Sequence, residues 1–148
     1  MAENWRLSRF YAILLLFVAI GRWVVGVRHI PYEVGTHMFS LVTFSLGASI
    51  FYGAFCRRWR RFRIHQAASL GLTLGLEAQI LIVVATIASY ALGIDSYFNN
   101  PTALNRDATG PIGFAAAMGY RLFGLVANLI LNALAGAVGW ALGGLLPE

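Results

Sequence analysis

One carboxylate stands inside the apolar stretch LGLTLGLEAQILIVV, residues 70–84. It belongs to Glu77, and every other residue of the stretch is uncharged. An ionisable side chain within a membrane span is costly and is therefore a candidate functional group. Glu77 could bind a proton or a cation, or it could pair with a basic residue and serve only to fix how helices pack.

A basic residue, Arg121, occupies the next apolar stretch. Glu77 follows the expected start of its span, near Gln66, by eleven residues, and Arg121 follows Ile112 by nine. With a helical rise of 1.5 Å per residue, the two side chains lie about 16 Å and 14 Å deep, near the middle of a hydrocarbon core about 30 Å thick. The sequence therefore predicts a Glu77–Arg121 ion pair that faces the interior of a helix bundle.

Polar residues share the helical faces of these two charges. Thr73 precedes Glu77 by four residues, and Asn128 and Asn132 follow Arg121 at spacings that keep all three on one stripe. Such faces could line a path for an ion, could bind a ligand, or could simply hold a sealed structural pair. The sequence leaves these alternatives open.

Two further residues are candidates at the outer ends of the spans. Arg22 could extend its side chain to the lipid headgroups, or it could be a second partner of Glu77 or line an outer vestibule. His37 is expected to be solvated, with a proton-responsive role at the outer mouth as the alternative. No metal site, cofactor or enzyme is predicted, because the chain has one cysteine, Cys56, and no HExxH, Walker or GxSxG motif.

The composition is that of a membrane protein. Hydrophobic residues make up 59% of the 148 residues and charged residues only 11%, whereas soluble domains carry about 25% charged residues. Each apolar stretch reaches the roughly 20 residues that a bilayer-spanning helix needs. We therefore predict an all-α integral membrane protein with a single domain, residues 1–148, whose four spans cover about 10–27, 36–56, 66–94 and 112–146.

Arginines predict the orientation of the spans. The loop between the second and third spans contributes five arginines, and the N-terminal segment adds Arg6 and Arg9, against two arginines in the other loops. The positive-inside rule places both termini and this loop in the cytoplasm, and we expect a bacterial inner membrane. The five loop residues could also contact anionic lipid headgroups: Arg57, Arg58, Arg60, Arg61 and Arg63. A nucleic-acid partner is not expected, because this clustering is typical of a membrane loop.

Two GxxxG motifs predict close helix contacts. They are Gly71 with Gly75, and Gly139 with Gly143. They could serve packing inside one bundle, but so small a membrane protein also suggests a homo-oligomer or a place beside other membrane subunits.

Two stretches of the chain resemble a small bacterial membrane family of unknown function. The residues that carry the resemblance are Gly75-Leu76-Glu77 within LGLTLGLEAQILIVVATI and Arg121 within IGFAAAMGYRLFGLVANLIL, and it covers residues 57–132. This chain departs from the family pattern in its extra first span, its longer outer loop and the apolar residues after Glu77. The resemblance implies only that the pairing of Glu77 with Arg121 is a recurring feature.

These observations predict an oligomeric channel or transporter for a small ion or proton, with the Glu77–Arg121 pair at its centre. The alternative is a non-catalytic subunit of a larger respiratory or photosynthetic membrane complex, which would bind partner helices, lipid or pigment. A membrane-bound sensor or carrier of a small molecule is a third hypothesis, which no residue pattern favours.

Overall fold

The described part of the chain, residues 2–104 and 110–145 of a computed structural model, is helical and contains no strand. The helices are α1 (Ala2–Leu7), α2 (Arg9–Val27), α3 (Tyr32–Met38), α4 (Leu41–Arg60), α5 (Ile64–Leu92), α6 (Pro101–Leu104) and α7 (Phe114–Gly143). Residue 146, the predicted end of the fourth span, and residues 105–109 of the predicted outer loop lie outside the described residues.

Four helices are long and apolar enough to cross a membrane, as a multi-pass membrane protein requires. They are Arg9–Val27, Tyr32–Arg60, Ile64–Leu92 and Phe114–Gly143, where the second combines α3 and α4. The predicted four-span pattern of an all-helical chain is thus confirmed by length and composition. The predicted second span, 36–56, is interrupted near Ser40, where the Ser40 hydroxyl accepts a hydrogen bond from the Thr43 N–H and begins α4.

Helix α5 is the central helix of the bundle. Within its most apolar 18-residue window, 61% of the residues are buried, compared with 22–28% in the other three long helices. Among the described residues, it carries more buried polar side chains than any other helix, and its neighbours on α2, α4 and α7 determine what those side chains contact.

The predicted GxxxG motifs both pack inside the bundle. Gly71 and Gly75 on α5 lie against Asn132 on α7, and Gly139 and Gly143 on α7 lie against Ile50 and Ala54 on α4. A Cβ at Gly71, Gly139 or Gly143 would collide with backbone atoms of the facing helix. These glycines therefore allow backbones to approach closely, and they give no support to the predicted homo-oligomer.

The same contacts set the register of the helices. Gly139 faces Ile50 and Gly143 faces Ala54, so α4 and α7 run in the same direction, while α5 runs opposite to both. The end of the bundle that holds residues 57–63 is the arginine-rich end. Residues 28–31 and 93–100 lie at the opposite end.

Candidate functional site

The structure separates the two intramembrane charges instead of pairing them. Arg121 donates from Nε to the Thr86 hydroxyl, at 3.0 Å, and from Nη2 to the Phe98 carbonyl, at 2.7 Å. Thr86 lies nine residues beyond Glu77 on α5, a rise of about 13 Å along a helix. The predicted Glu77–Arg121 ion pair is wrong.

The error comes from where Arg121 lies in its helix. Glu77 is next to the centre of the 29-residue helix α5, as predicted, whereas Arg121 lies only two turns after the start of the 30-residue helix α7. A 30-residue helix is about 45 Å long, so nine residues from its predicted start do not reach its centre. Arg121 therefore lies towards the end opposite the arginine-rich end.

Glu77 belongs to a group of five polar residues that we call the acid cluster. Its members come from α1, the junction of α1 and α2, and α5: Asn4, Ser8, Ser69, Thr73 and Glu77. The Ser8 hydroxyl, at the junction between α1 and α2, bonds to Oε1 of Glu77. The Asn4 amide donates to the hydroxyls of Ser69, at 3.2 Å, and Thr73, at 3.4 Å. The predicted site residues Thr73 and Glu77 are thus brought together.

The Glu77 carboxyl is buried and only half satisfied. It is 7% exposed, and its Oε2 atom has no hydrogen-bond partner among the described residues. Leaving a charged oxygen buried without a partner costs several kcal/mol. The site therefore favours the presence of a proton or another cation at this oxygen.

The Ser8 hydroxyl suits two protonation states of Glu77. It lies within hydrogen-bond distance of both the Glu77 carboxyl and, at 3.3 Å, the Trp5 carbonyl oxygen. One hydroxyl has one proton to donate. Ser8 can donate that proton to an ionised Glu77, or it can accept from a protonated Glu77 and donate to Trp5.

Glu77 opens onto a groove at the surface of the bundle. The groove lies between the start of α2 and α5 and has a volume of about 350 Å³. Its walls are apolar apart from Ser8, Arg9 and Glu77; the apolar residues include Leu16 and Ile80. Glu77 therefore lies beside a groove on the side of the bundle that faces lipid or a neighbouring protein.

A second charged site, the two-arginine cavity, lies at the opposite end of the bundle. Arg22 of α2 and Arg121 of α7 line the same cavity of about 140 Å³, together with Tyr32, Thr36 and Ser40. Arg22 donates from Nη1 to the Phe39 carbonyl at 2.9 Å and from Nη2 to the Tyr32 hydroxyl at 3.3 Å. This is the vestibule arrangement considered for Arg22, and Arg22 is not a partner of Glu77.

Aromatic rings surround the Arg22 guanidinium. Its central carbon lies 5.6 Å from the Tyr32 ring centroid, 5.5 Å from that of Tyr97 and 5.9 Å from that of Phe98, distances at which the ring faces attract a cation. The buried Tyr97 hydroxyl donates to the Ile30 carbonyl at 2.6 Å, and burial raises the pKa of this phenol. Rings and hydrogen bonds hold the guanidinium in a defined position.

Apolar side chains separate the acid cluster from the two-arginine cavity. Leu15, Ala19, Leu41, Ala78 and Ile82 belong to one buried apolar core that lies between the two sites. The described residues therefore offer no chain of polar groups from Glu77 to Arg121 through the protomer.

Asn132 ties helices together inside the bundle. It is fully buried, its side-chain oxygen accepts from Ser49 of α4 at 2.8 Å, and its amide donates to the Asn128 carbonyl at 2.9 Å. The Asn128 amide donates to the Gly124 carbonyl at 2.8 Å, while its buried side-chain oxygen has no partner in the described part of the chain. The contacts of Asn132 fit a structural tie better than the lining of an ion pathway.

The remaining predicted site residues lie apart from both charged sites. His37 is exposed and lines a large groove between α2 and α4. Arg57 donates to the Trp140 carbonyl at 3.0 Å and lies over the Trp140 ring at 3.9 Å, so it holds the end of α7. Arg60, Arg61 and Arg63 are exposed and Arg58 is half-buried. Contact of these arginines with anionic lipid stays a prediction.

Sequence reasoning missed Ser8, Tyr32, Tyr97 and Phe98. The last three come from short helices and turns outside the apolar spans, where helical periodicity gives no signal. Ser8 precedes a long apolar stretch, and this position is a sequence signal for a helix start.

No group of three His, Cys, Asp or Glu residues that could hold a metal ion is present among the described residues.

Comparisons with protein-family models, with curated proteins and with solved structures find no match to this chain. The resemblance over residues 57–132 thus stays a prediction, and the Glu–Arg pairing that it implied is absent from the structure.

Proposed function

We propose that this multi-pass membrane protein handles a small ion and that Glu77 is its proton-binding group. The observation that carries the proposal is the buried Glu77 carboxyl with one oxygen lacking a partner, at the centre of the central helix. Ser8 can adjust its hydrogen bond to either protonation state, which is what a group that repeatedly takes up and releases a proton needs.

The proton reaches Glu77 from the side of the bundle in this proposal. Glu77 is one of the residues that line the surface groove between α2 and α5, while the apolar core closes the direct way to the opposite end. A neighbouring copy of the chain or a partner subunit would complete the path. The proposal therefore requires an oligomer or a complex with another membrane subunit. The distribution of arginines supports cytoplasmic termini in a bacterial inner membrane.

Proton flux into liposomes tests this proposal. The purified protein is reconstituted in vesicles with a potassium gradient, valinomycin and an internal pH-sensitive dye. We expect wild-type flux well above that of empty vesicles, and flux near that background for Glu77→Gln, which keeps the shape of the side chain. Glu33→Gln is the matched control, because Glu33 is exposed on α3, and its flux should equal that of the wild type. Background flux from the wild type, or wild-type flux from Glu77→Gln, contradicts the proposal.

A second candidate function, a non-catalytic subunit of a larger complex, is favoured by another groove. It lies between α2 and α4, has a volume of about 630 Å³, and includes Phe10, Leu14, Val18, Phe44 and Phe51 among its apolar residues. Such a surface suits a partner helix, an acyl chain or a pigment. Purification from native membranes in mild detergent separates the two functions: stoichiometric foreign subunits favour the accessory role, and a homogeneous oligomer of this chain favours the ion-handling role.

A further inference from the structure

The two-arginine cavity presents two cations to one small volume. Phe98 links them, because the Arg22 guanidinium lies 5.9 Å from the Phe98 ring centroid while Arg121 donates to the Phe98 carbonyl at 2.7 Å. The described residues that line the cavity are otherwise polar neutral or apolar, and none is acidic. Two like charges that line one small cavity repel each other, and an anion between them would relieve that repulsion.

Both guanidiniums keep hydrogen-bonding capacity for a ligand. An arginine has five N–H donors. Contacts to the described residues use two donors of Arg22, towards Phe39 and Tyr32, and two of Arg121, towards Thr86 and Phe98. These contacts fix the orientation of the guanidinium planes, and the described residues occupy none of the other three N–H donors of either arginine.

The size and lining of the cavity fit a small oxyanion. Its volume of about 140 Å³ equals that of four or five water molecules at about 30 Å³ each. Paired guanidinium N–H groups match the oxygens of a phosphate or carboxylate group, and Tyr32, Thr36 and Ser40 provide hydroxyls at the same cavity.

We propose that the two-arginine cavity binds a small oxyanion of the phosphate or carboxylate class between Arg22 and Arg121. The oxyanion comes either from solution or from a lipid headgroup, because both arginines lie about two turns from a helix end. The proposal is independent of proton binding at Glu77, since the buried apolar core separates the two sites.

Binding of inorganic phosphate tests the proposal. The full chain is purified in a non-ionic detergent and dialysed against labelled phosphate at constant ionic strength set with chloride. We expect about one phosphate per chain, and binding at least ten-fold weaker in Arg22→Gln and in Arg121→Gln. The matched control is Arg28→Gln, because Arg28 is exposed and does not line the cavity. Glu77→Gln should bind phosphate as the wild type does, so the test stands even if the proton proposal fails.

A variant that keeps both arginines tests whether misfolding explains the weaker phosphate binding of the arginine variants. Ala103 of α6 lines the cavity, and Ala103→Leu fills part of it. We expect at least ten-fold weaker phosphate binding, with the elution volume and helical circular dichroism of the wild type. Unchanged binding in Ala103→Leu contradicts the proposed location.

Phosphorus analysis of the washed protein separates the two sources of oxyanion. A lipid headgroup predicts about one tightly held phospholipid per chain in the wild type and none in the Arg22→Gln, Arg121→Gln double variant. A free oxyanion predicts no retained phospholipid and full phosphate binding in dialysis. The proposal is overturned if the washed protein retains no phospholipid and also binds no phosphate above the chloride background.

Discussion

The acid cluster and the two-arginine cavity solve the problem of buried charge in different ways. In the acid cluster, one carboxyl is held by a serine hydroxyl and can be neutralised by a proton. In the two-arginine cavity, guanidiniums cannot lose their protons at ordinary pH, and rings and carbonyls hold them in place. The two sites therefore lead to two separate proposals, proton binding at Glu77 and oxyanion binding between the arginines, and the apolar core keeps the two sites apart.

The largest expected effect comes from the close glycine contacts between α4 and α7, which hold together the helix bundle that carries both sites. Gly139→Leu forces a side chain against the backbone of Ile50 on α4, and we expect a loss of about 3 kcal/mol or more of unfolding free energy. Gly124→Leu on the same helix is the control, because a Cβ there meets no atom within 4 Å. Reversible unfolding in mixed micelles measures both. Equal stability of the two variants would show that the glycine contacts do not hold the bundle together.

A smaller effect is expected from the polar tie inside that bundle. Asn132→Leu leaves the buried Ser49 hydroxyl without the acceptor it has at 2.8 Å, which costs about 2 kcal/mol. Asn128→Leu is the matched control one turn away, because its side-chain oxygen already lacks a partner. In the same unfolding assay, Asn132→Leu should be clearly less stable than Asn128→Leu. If Asn128→Leu is the less stable variant, Asn132 is again a candidate for the lining of an ion pathway.

Loss of Ser8 affects the acid cluster alone. Ser8→Ala removes the hydroxyl that bonds to Glu77, and we expect a cost of about 1–2 kcal/mol together with reduced proton flux. The exposed residue Thr43 provides the control, and Thr43→Ala should change stability by less than about 0.5 kcal/mol. Phosphate binding should be unchanged in Ser8→Ala. If Ser8→Ala weakens phosphate binding, the two sites are not separate.

Loss of the Tyr97 hydroxyl affects the two-arginine cavity alone. Tyr97→Phe keeps the ring beside Arg22 but removes the hydrogen bond to the Ile30 carbonyl, at a cost of about 1 kcal/mol near neutral pH. Burial raises the pKa of this phenol above its value of about 10 in an unfolded chain. Tyr97 therefore stabilises the fold fully below pH 10, and this contribution is lost as the pH rises through the raised pKa.

Unfolding measurements over a series of pH values check the direction of this pH dependence. The difference between the wild type and Tyr97→Phe should be constant below about pH 10 and should shrink above it. A difference that grows with alkaline pH would contradict the burial of this phenol.

The number of membrane-length helices and their approximate limits were predictable from the sequence, because hydropathy and length determine them locally. The spans predicted at 66–94 and 112–146 correspond to Ile64–Leu92 and Phe114–Gly143. The central depth of Glu77 was predictable for the same reason. The depth of Arg121 was not, because counting from one end ignores how far a long helix extends beyond the hydrocarbon core.

The partners of the charged residues depend on contacts that the sequence does not encode locally. Ser8 and Glu77 meet because α2 packs across α5, with a separation of 69 positions. Arg22 meets Tyr97 and Phe98 because the turn after α5 folds back under the end of α2. Opposite charge alone favoured the Glu77–Arg121 pair, but Arg121 bonds to Thr86 and Phe98 while Glu77 bonds to Ser8.

A double-mutant cycle between Glu77→Gln and Arg121→Gln tests the separation of the two sites most directly. The unfolding free energy of the wild type, both single variants and the double variant is measured in mixed micelles. Sites with no shared partner and about 13 Å of helix between them should act additively, with a coupling energy within about 0.5 kcal/mol of zero. A coupling energy of about 2 kcal/mol or more would show that Glu77 and Arg121 form an ion pair, and it would contradict the account of two independent sites.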